Sequence, residues 1–308
     1  MGKTLLLASP RGFCAGVTRA IEIVERALEL WGTPIYVKHE IVHNRHVVDR
    51  LRAKGAIFVE ELHEIPPGSK VIFSAHGVPP DTFDVASSMG LEVTDATCPL
   101  VTKVHKEALR YAKDDMQILL IGHKNHVEAI GTQGVARDRT TIIETPEDAQ
   151  TVTVSDPTKV AVLTQTTLSV DDTQEIMNIL MQRFPQIQTP GKSDICYATT
   201  NRQMAIRQIG DSVDLVLVVG ANNSSNSNRL REVAARNGVP AYLIQDESQI
   251  ESSWVKEAQT IGMTAGASTP EDLVERCVKR LQELGVSEVK EHVAIEEKVS
   301  FGLPRMLA

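Results

Sequence analysis

The chain has 308 residues, 42% of them hydrophobic and 23% charged, which is too long for one small core and ordinary for a globular protein. A net charge of −8 and an aromatic content of 4% argue against a nucleic-acid or anionic-membrane surface. No run approaches the roughly 20 apolar residues of a membrane span. The start Met1-Gly2-Lys3-Thr4-Leu5 meets Pro10-Arg11-Gly12 after a short apolar run, so it reads as a β-strand of a cytoplasmic protein, not a secretory leader.

In chain order, short apolar runs alternate with helical patterns. The runs at 34–37, 70–73, 117–121, 160–163 and 215–219 are apolar at consecutive positions, as in strands covered on both faces of a parallel sheet. The predicted class is therefore α/β. Helical patterns open at Cys14 and run to about residue 30, at Cys98-Pro99 to about 113, and at Cys196 to about 209. Each leads into a strand that ends in a polar loop, carrying His43, His126 and Ser224 respectively. Later in each segment a second strand ends in Ser74-Ala75-His76-Gly77, Thr164-Gln165-Thr166-Thr167 or Thr264-Ala265-Gly266-Ala267-Ser268, followed by helices, clearest at 169–184 and 269–284. The fixed order predicts three similar α/β domains around a pseudo-threefold axis: 1–97, 98–195 and 196–284, with 285–308 as a charged tail.

A lone cysteine is more often a small buried hydrophobe than a ligand. Cys14, Cys98 and Cys196 share a place in the repeat, at helix starts where the macrodipole favours a thiolate. Threefold placement can bring three thiolates together and leave one corner of a metal site open for chemistry. Cys277 lies mid-helix and reads as a packed thiol. His43, His76 and His126 follow strands, where open α/β sheets bind ligands. Ser224, Ser225, Asn226 and Ser268 hold the matching places in the third segment, and such neutral donors with helix amides suit a phosphate. Glu128, two residues past His126, is a carboxyl group able to deliver protons beside such a site.

These pieces, in order from residue 11 to 268, resemble the 4-hydroxy-3-methylbut-2-enyl diphosphate reductase family: Arg11-Gly12-Phe13-Cys14, Val42-His43-Asn44-Arg45, Ser74-Ala75-His76-Gly77, Ala96-Thr97-Cys98-Pro99, Thr164-Gln165-Thr166-Thr167, Ile195-Cys196-Tyr197, Ser224-Ser225-Asn226-Ser227-Asn228 and Thr264-Ala265-Gly266-Ala267-Ser268. The resemblance implies a trefoil of three domains around a 4Fe–4S cluster held by Cys14, Cys98 and Cys196, with the substrate hydroxyl at the fourth iron. It implies that His43, His76, His126, Ser224, Ser225, Asn226 and Ser268 hold the diphosphate, and that Thr167, His126 and Glu128 lie by the reacting end, with Glu128 in the proton path. It further implies a reductive dehydroxylation to isopentenyl and dimethylallyl diphosphates, with electrons from a reduced flavodoxin or ferredoxin. Val127 stands where the family usually has proline, a change expected to loosen that loop. On the residues alone a non-redox iron–sulfur lyase, an iron–sulfur sensor and a zinc site remain alternatives.

Overall fold

The computed structural model describes residues 2–236 and 238–307. Among them are twelve strands: β1 (Lys3–Ser9), β2 (Ile35–Lys38), β3 (Ala56–Val59), β4 (Lys70–Phe73), β5 (Glu92–Asp95), β6 (Gln117–Ile121), β7 (Thr140–Ile143), β8 (Val160–Thr164), β9 (Leu215–Val219), β10 (Ala241–Ile244), β11 (Thr260–Ala265) and β12 (Val286–Val293). Eleven α-helices alternate with them: α1 (Ala15–Trp31), α2 (Arg45–Ala53), α3 (Asp81–Ser88), α4 (Pro99–Lys113), α5 (Val127–Val135), α6 (Pro146–Thr151), α7 (Val170–Arg183), α8 (Tyr197–Gly210), α9 (Ser225–Arg236), α10 (Ser252–Glu257) and α11 (Glu271–Glu283). No helix among the described residues is long and apolar enough to cross a membrane.

The strands form three sheets, ordered β3-β2-β4-β5, β7-β6-β8 and β10-β9-β11-β1-β12. Every pairing is parallel. Both faces are covered, as the consecutive apolar runs predict. In β9, Leu215, Leu217 and Val219 enter one core cluster while Val216 and Val218 enter the other. In β6, Ile118 and Leu120 face one cluster, Leu119 and Ile121 another.

One strand pairs across the expected segments. β1 pairs with β11 and β12 rather than with the strands that follow it in sequence. Its place beside β11 matches that of β5 beside β4, and the bridge of Ala161 to Gln188 puts a short extended piece beside β8 in the same way. The repeat therefore runs from one cysteine to the strand before the next, and the third copy completes itself with the first strand of the chain. Residues 286–293, read from the sequence as tail, are the edge strand β12. Its mostly exposed Ser287-Glu288-Val289-Lys290-Glu291 run is the charged edge that parallel sheets use against further pairing.

The chain packs as two compact units: Met1–Val17, His43–Val47 and Tyr197–Ser300 in the first, and Thr18–Val42, Val48–Cys196 and Phe301–Ala308 in the second. The first holds the five-stranded sheet. The second holds the other two sheets and the last turn of the chain, where Leu307 is buried and Arg19 Nε donates to the carbonyl of Gly302 at 2.9 Å.

Candidate active site

In the first unit, Cys14 immediately precedes α1. Its N–H donates to the carbonyl of Ala267 at 3.2 Å. In the second unit, Cys98 is the residue before α4 and its N–H donates to Ala75 at 3.0 Å, while Cys196 precedes α8 and its N–H donates to Thr166 at 3.0 Å. Ala267, Ala75 and Thr166 hold the same place in the repeat, in the loop after β11, β4 and β8. Each cysteine is thus pinned by one backbone bond to a strand-end loop. Gly12 makes the first turn possible: its φ is +65°, and a Cβ there would lie 3.0 Å from the carbonyl of Thr269.

The three cysteines are partly exposed, and none forms a disulfide. Soft thiolate donors at open helix N-termini fit an iron–sulfur cluster. Cys277 does not fit one. It is buried among Leu273, Val274 and Leu281, and burial pushes its thiol up to about 12, so it stays protonated.

In the first unit the structure brings together His43, Ser224, Ser225, Asn226 and Ser268. Ser268 Oγ donates to the carbonyl of His43 at 2.8 Å, and Asn223 Nδ2 lies 3.4 Å from His43 Nδ1. The helix α9 starts inside the polar loop, at Ser225. The reason is a cap: Ser224 Oγ accepts from Ser227 N at 3.3 Å and lies 3.0 Å from Ser227 Oγ. Ser227 sits against Gly220 and Gly266, where a Cβ would come within 2.2 Å and 2.0 Å of its hydroxyl. The two glycines after β9 and β11 let this helix start approach the strand ends. Asn226 is 4% exposed, and neither its Oδ1 nor its Nδ2 has a hydrogen-bond partner. A buried amide left this way costs stability unless a ligand meets it.

In the second unit, the His76 and His126 rings are 6.2 Å apart at 79°, and His76 Nδ1 lies 3.1 Å from Ser74 Oγ. His126 caps α5, with its Nδ1 accepting from Glu128 N at 3.1 Å. In the neutral ring that bond fixes the proton on Nε2, leaving Nε2 as a donor. This start forms with Val127 in the first helical position. Glu128 is 3% exposed. Its Oε1 accepts from Thr166 N at 2.6 Å and its Oε2 from Thr166 Oγ1 at 3.0 Å. Burial raises its pKa to about 7, against the lowering effect of these two bonds. The partner of Glu128 is Thr166; the hydroxyl of Thr167 accepts instead from Gln165 Nε2 at 3.0 Å.

Two further residues belong to these surroundings. His39 follows β2, with its ring 5.7 Å from that of His76 and its Nδ1 2.8 Å from Glu60 Oε2. Nothing in its local sequence singles it out. Arg202 is wholly buried in α8. Helical spacing offered a signal for it, since Ala198, Ala205, Ile206 and Ile209 mark the same face as core.

The sequence profile of the LytB protein family matches residues 5–282. The 4-hydroxy-3-methylbut-2-enyl diphosphate reductase of Protochlamydia amoebophila is 56% identical over 301 residues, 98% of this chain and 96% of that protein. The reductase of the same name from Aromatoleum aromaticum is 56% identical over 305 residues, covering 99% and 98%. Among solved structures, the E-1-hydroxy-2-methyl-but-2-enyl-4-diphosphate reductase from Plasmodium falciparum matches with a TM-score of 0.96 at 41% identity, over 100% of this chain and 97% of that one. A second, an (E)-4-hydroxy-3-methyl-but-2-enyl diphosphate reductase described as the terminal enzyme of the non-mevalonate pathway, matches with a TM-score of 0.65 at 30% identity, over 91% and 99%.

Proposed function

The chain belongs to the LytB protein family, and on that premise we propose that it reduces 4-hydroxy-3-methylbut-2-enyl diphosphate to isopentenyl and dimethylallyl diphosphates. It is an iron–sulfur oxidoreductase of the non-mevalonate isoprenoid route, like the reductases it matches end to end. The reaction takes two electrons and two protons: the C–O bond breaks, one proton leaves with the oxygen as water and one ends on carbon. The observation that carries the reading is the Glu128 carboxyl, buried yet with a pKa of about 7, beside His126, whose Nδ1 accepts from the Glu128 N–H. A carboxyl tuned in this way suits proton delivery to a poor leaving group.

Cys14, Cys98 and Cys196 would hold a 4Fe–4S cluster. That cluster, when bound, supplies the electrons and a Lewis-acidic position for the leaving oxygen. The chain's own residues supply the rest. His43, His76, His126, Ser224, Ser225, Asn226 and Ser268 bind the diphosphate through neutral donors and the amides at the start of α9, which suits a concentrated negative charge. Asn226 gains in the substrate the partners it lacks. Binding energy from the diphosphate, remote from the breaking bond, orients the allyl group. Thr166 aims the Glu128 carboxyl, and Thr167 lies by the same reacting end. The electrons come from a small reduced carrier, a flavodoxin or ferredoxin. A cytoplasmic location accompanies the reading, since cysteines outside disulfides suit a reducing compartment.

Product analysis of the anaerobically purified protein, with and without reductant, tests this function. Isoprenoid diphosphates that form only with reductant are expected. A product that forms equally without it would instead indicate a non-redox lyase.

A further inference from the structure

Resting on the cluster-binding reading above, we propose that Arg202 and Glu297 form a positioning pair that fixes the peptide joining Phe13 to Cys14, and so holds this cysteine for its cluster. Every donor of the Arg202 guanidinium is used. Nε and Nη2 both donate to the carbonyl of Gly12, at 3.2 and 2.8 Å, and Nη2 also reaches the carbonyl of Phe13 at 3.4 Å. Nη1 donates to the carbonyl of Ala198 and to Glu297 Oε1, each at 3.0 Å, and Nη2 lies 3.4 Å from Glu297 Oε2. The Phe13–Cys14 peptide is thereby held at both polar atoms, its oxygen by Arg202 and its N–H by the carbonyl of Ala267. The next N–H, that of Ala15, donates to the hydroxyl of Tyr197 at 3.1 Å.

An arginine with no exposure is an expensive way to fill a core, because a hydrophobic residue of similar size carries no desolvation cost. It is retained where a planar fork must bind several carbonyls at once, which lysine cannot do. Its counter-charge comes from far along the chain. Ala294 N donates to the carbonyl of Ser9 at 2.8 Å, extending the β1–β12 ladder. Three residues later Glu297, 15% exposed, meets Arg202 and also accepts from Asn201 Nδ2 at 3.0 Å. The strand read from sequence as tail therefore delivers the carboxylate that neutralises a buried cation one peptide from a cluster ligand. Local charge and hydrogen bonding around cluster ligands set both retention and reduction potential.

The test uses anaerobically purified holoenzyme with Arg202→Lys, Glu297→Gln and the apolar double variant Arg202→Met/Glu297→Leu. Thermal unfolding, iron and sulfide content, the rate of iron loss to a chelator, and the cluster midpoint potential are compared with wild type. Arg202→Lys is expected to lose iron about 10-fold faster or more, the scale of removing an outer-shell partner. Glu297→Gln is expected to raise the midpoint potential, since it leaves the cation uncompensated. The double variant is expected to keep the thermal stability of wild type but not its hold on iron. That outcome separates positioning of Cys14 from mere support of the fold. Wild-type iron retention in the folded double variant, or an unchanged potential in Glu297→Gln, would overturn the proposal. A wild-type protein that takes up no cluster would overturn the reading beneath it as well.

Discussion

Both oxygens of the Glu128 carboxyl are held by a single residue, Thr166, whose N–H meets Oε1 at 2.6 Å and whose hydroxyl meets Oε2 at 3.0 Å. Thr166 is also the residue whose carbonyl accepts the N–H of Cys196 at 3.0 Å. The proposed proton donor and a proposed cluster ligand thus share one backbone anchor, at the end of β8. Glu128→Gln keeps the shape but cannot transfer the proton. It is expected to assemble the cluster and bind substrate, with turnover down by a factor on the order of 100. Parallel kinetics of His126→Gln check the assignment. If Glu128→Gln turned over normally and His126→Gln did not, the proton role would pass to His126.

The same carboxyl links stability to pH. Its folded pKa of about 7 lies above its ordinary value of 4.5. Folding therefore binds a proton between those values. The stability from this group is complete below pH 4.5 and is lost as pH rises through 7, by about 3 kcal/mol in all. Glu128→Gln removes this dependence. Denaturant unfolding of cluster-free protein at pH 5 and pH 8 is expected to show the variant gaining on wild type at the higher pH. A constant difference would contradict the raised pKa.

Asn226 carries the reverse trade. Its amide is buried without a partner, so Asn226→Ala is expected to leave the substrate-free protein as stable as wild type or more so. The diphosphate KM should rise on the order of 10-fold or more, the worth of a hydrogen bond to a charged group. Calorimetry without substrate and steady-state kinetics with it check the two halves separately.

Serine at Cys14, Cys98 or Cys196 is expected to remove most of the iron and the activity. Cys277→Ala should keep both and cost about 1 kcal/mol of packing in the core of Leu273, Val274 and Leu281. Iron analysis of the four anaerobic preparations decides this. Equal iron in all four would remove the cysteine assignment.

Val127 occupies the first position of α5, and His126 before it has φ −83° and ψ 134°, a conformation that a following proline accepts. Val127→Pro is therefore expected to stabilise the protein by about 0.5 kcal/mol with unchanged KM. A fall in thermal stability would show that the loop depends on valine.

The α/β class, the helix starts at the three cysteines and the strand-end loops were legible because each leaves a local mark: apolar runs, capping residues and small polar loops. What was not legible depended on pairing between distant segments. β1 reads locally like any buried strand, and nothing in Thr4-Leu5-Leu6-Leu7 says that its partners are strands as far along the chain as Thr260 and Glu288. β12 shows so little apolar alternation, with Val286 alone buried, that its charged edge reads as tail. Thr166 and Thr167 are indistinguishable by type, and only the backbone geometry after β8 gives Glu128 to the first. The partnership of Arg202 with Glu297 spans 95 residues of sequence and emerges only once β12 is in place.

The central claim is that this chain performs a two-electron reduction of an allylic diphosphate. It is tested most directly by titrating reduced methyl viologen against product in the anaerobic holoenzyme. Two viologen radicals are expected to be oxidised for each molecule of isopentenyl plus dimethylallyl diphosphate formed. Substrate consumed with no viologen oxidised would contradict the account.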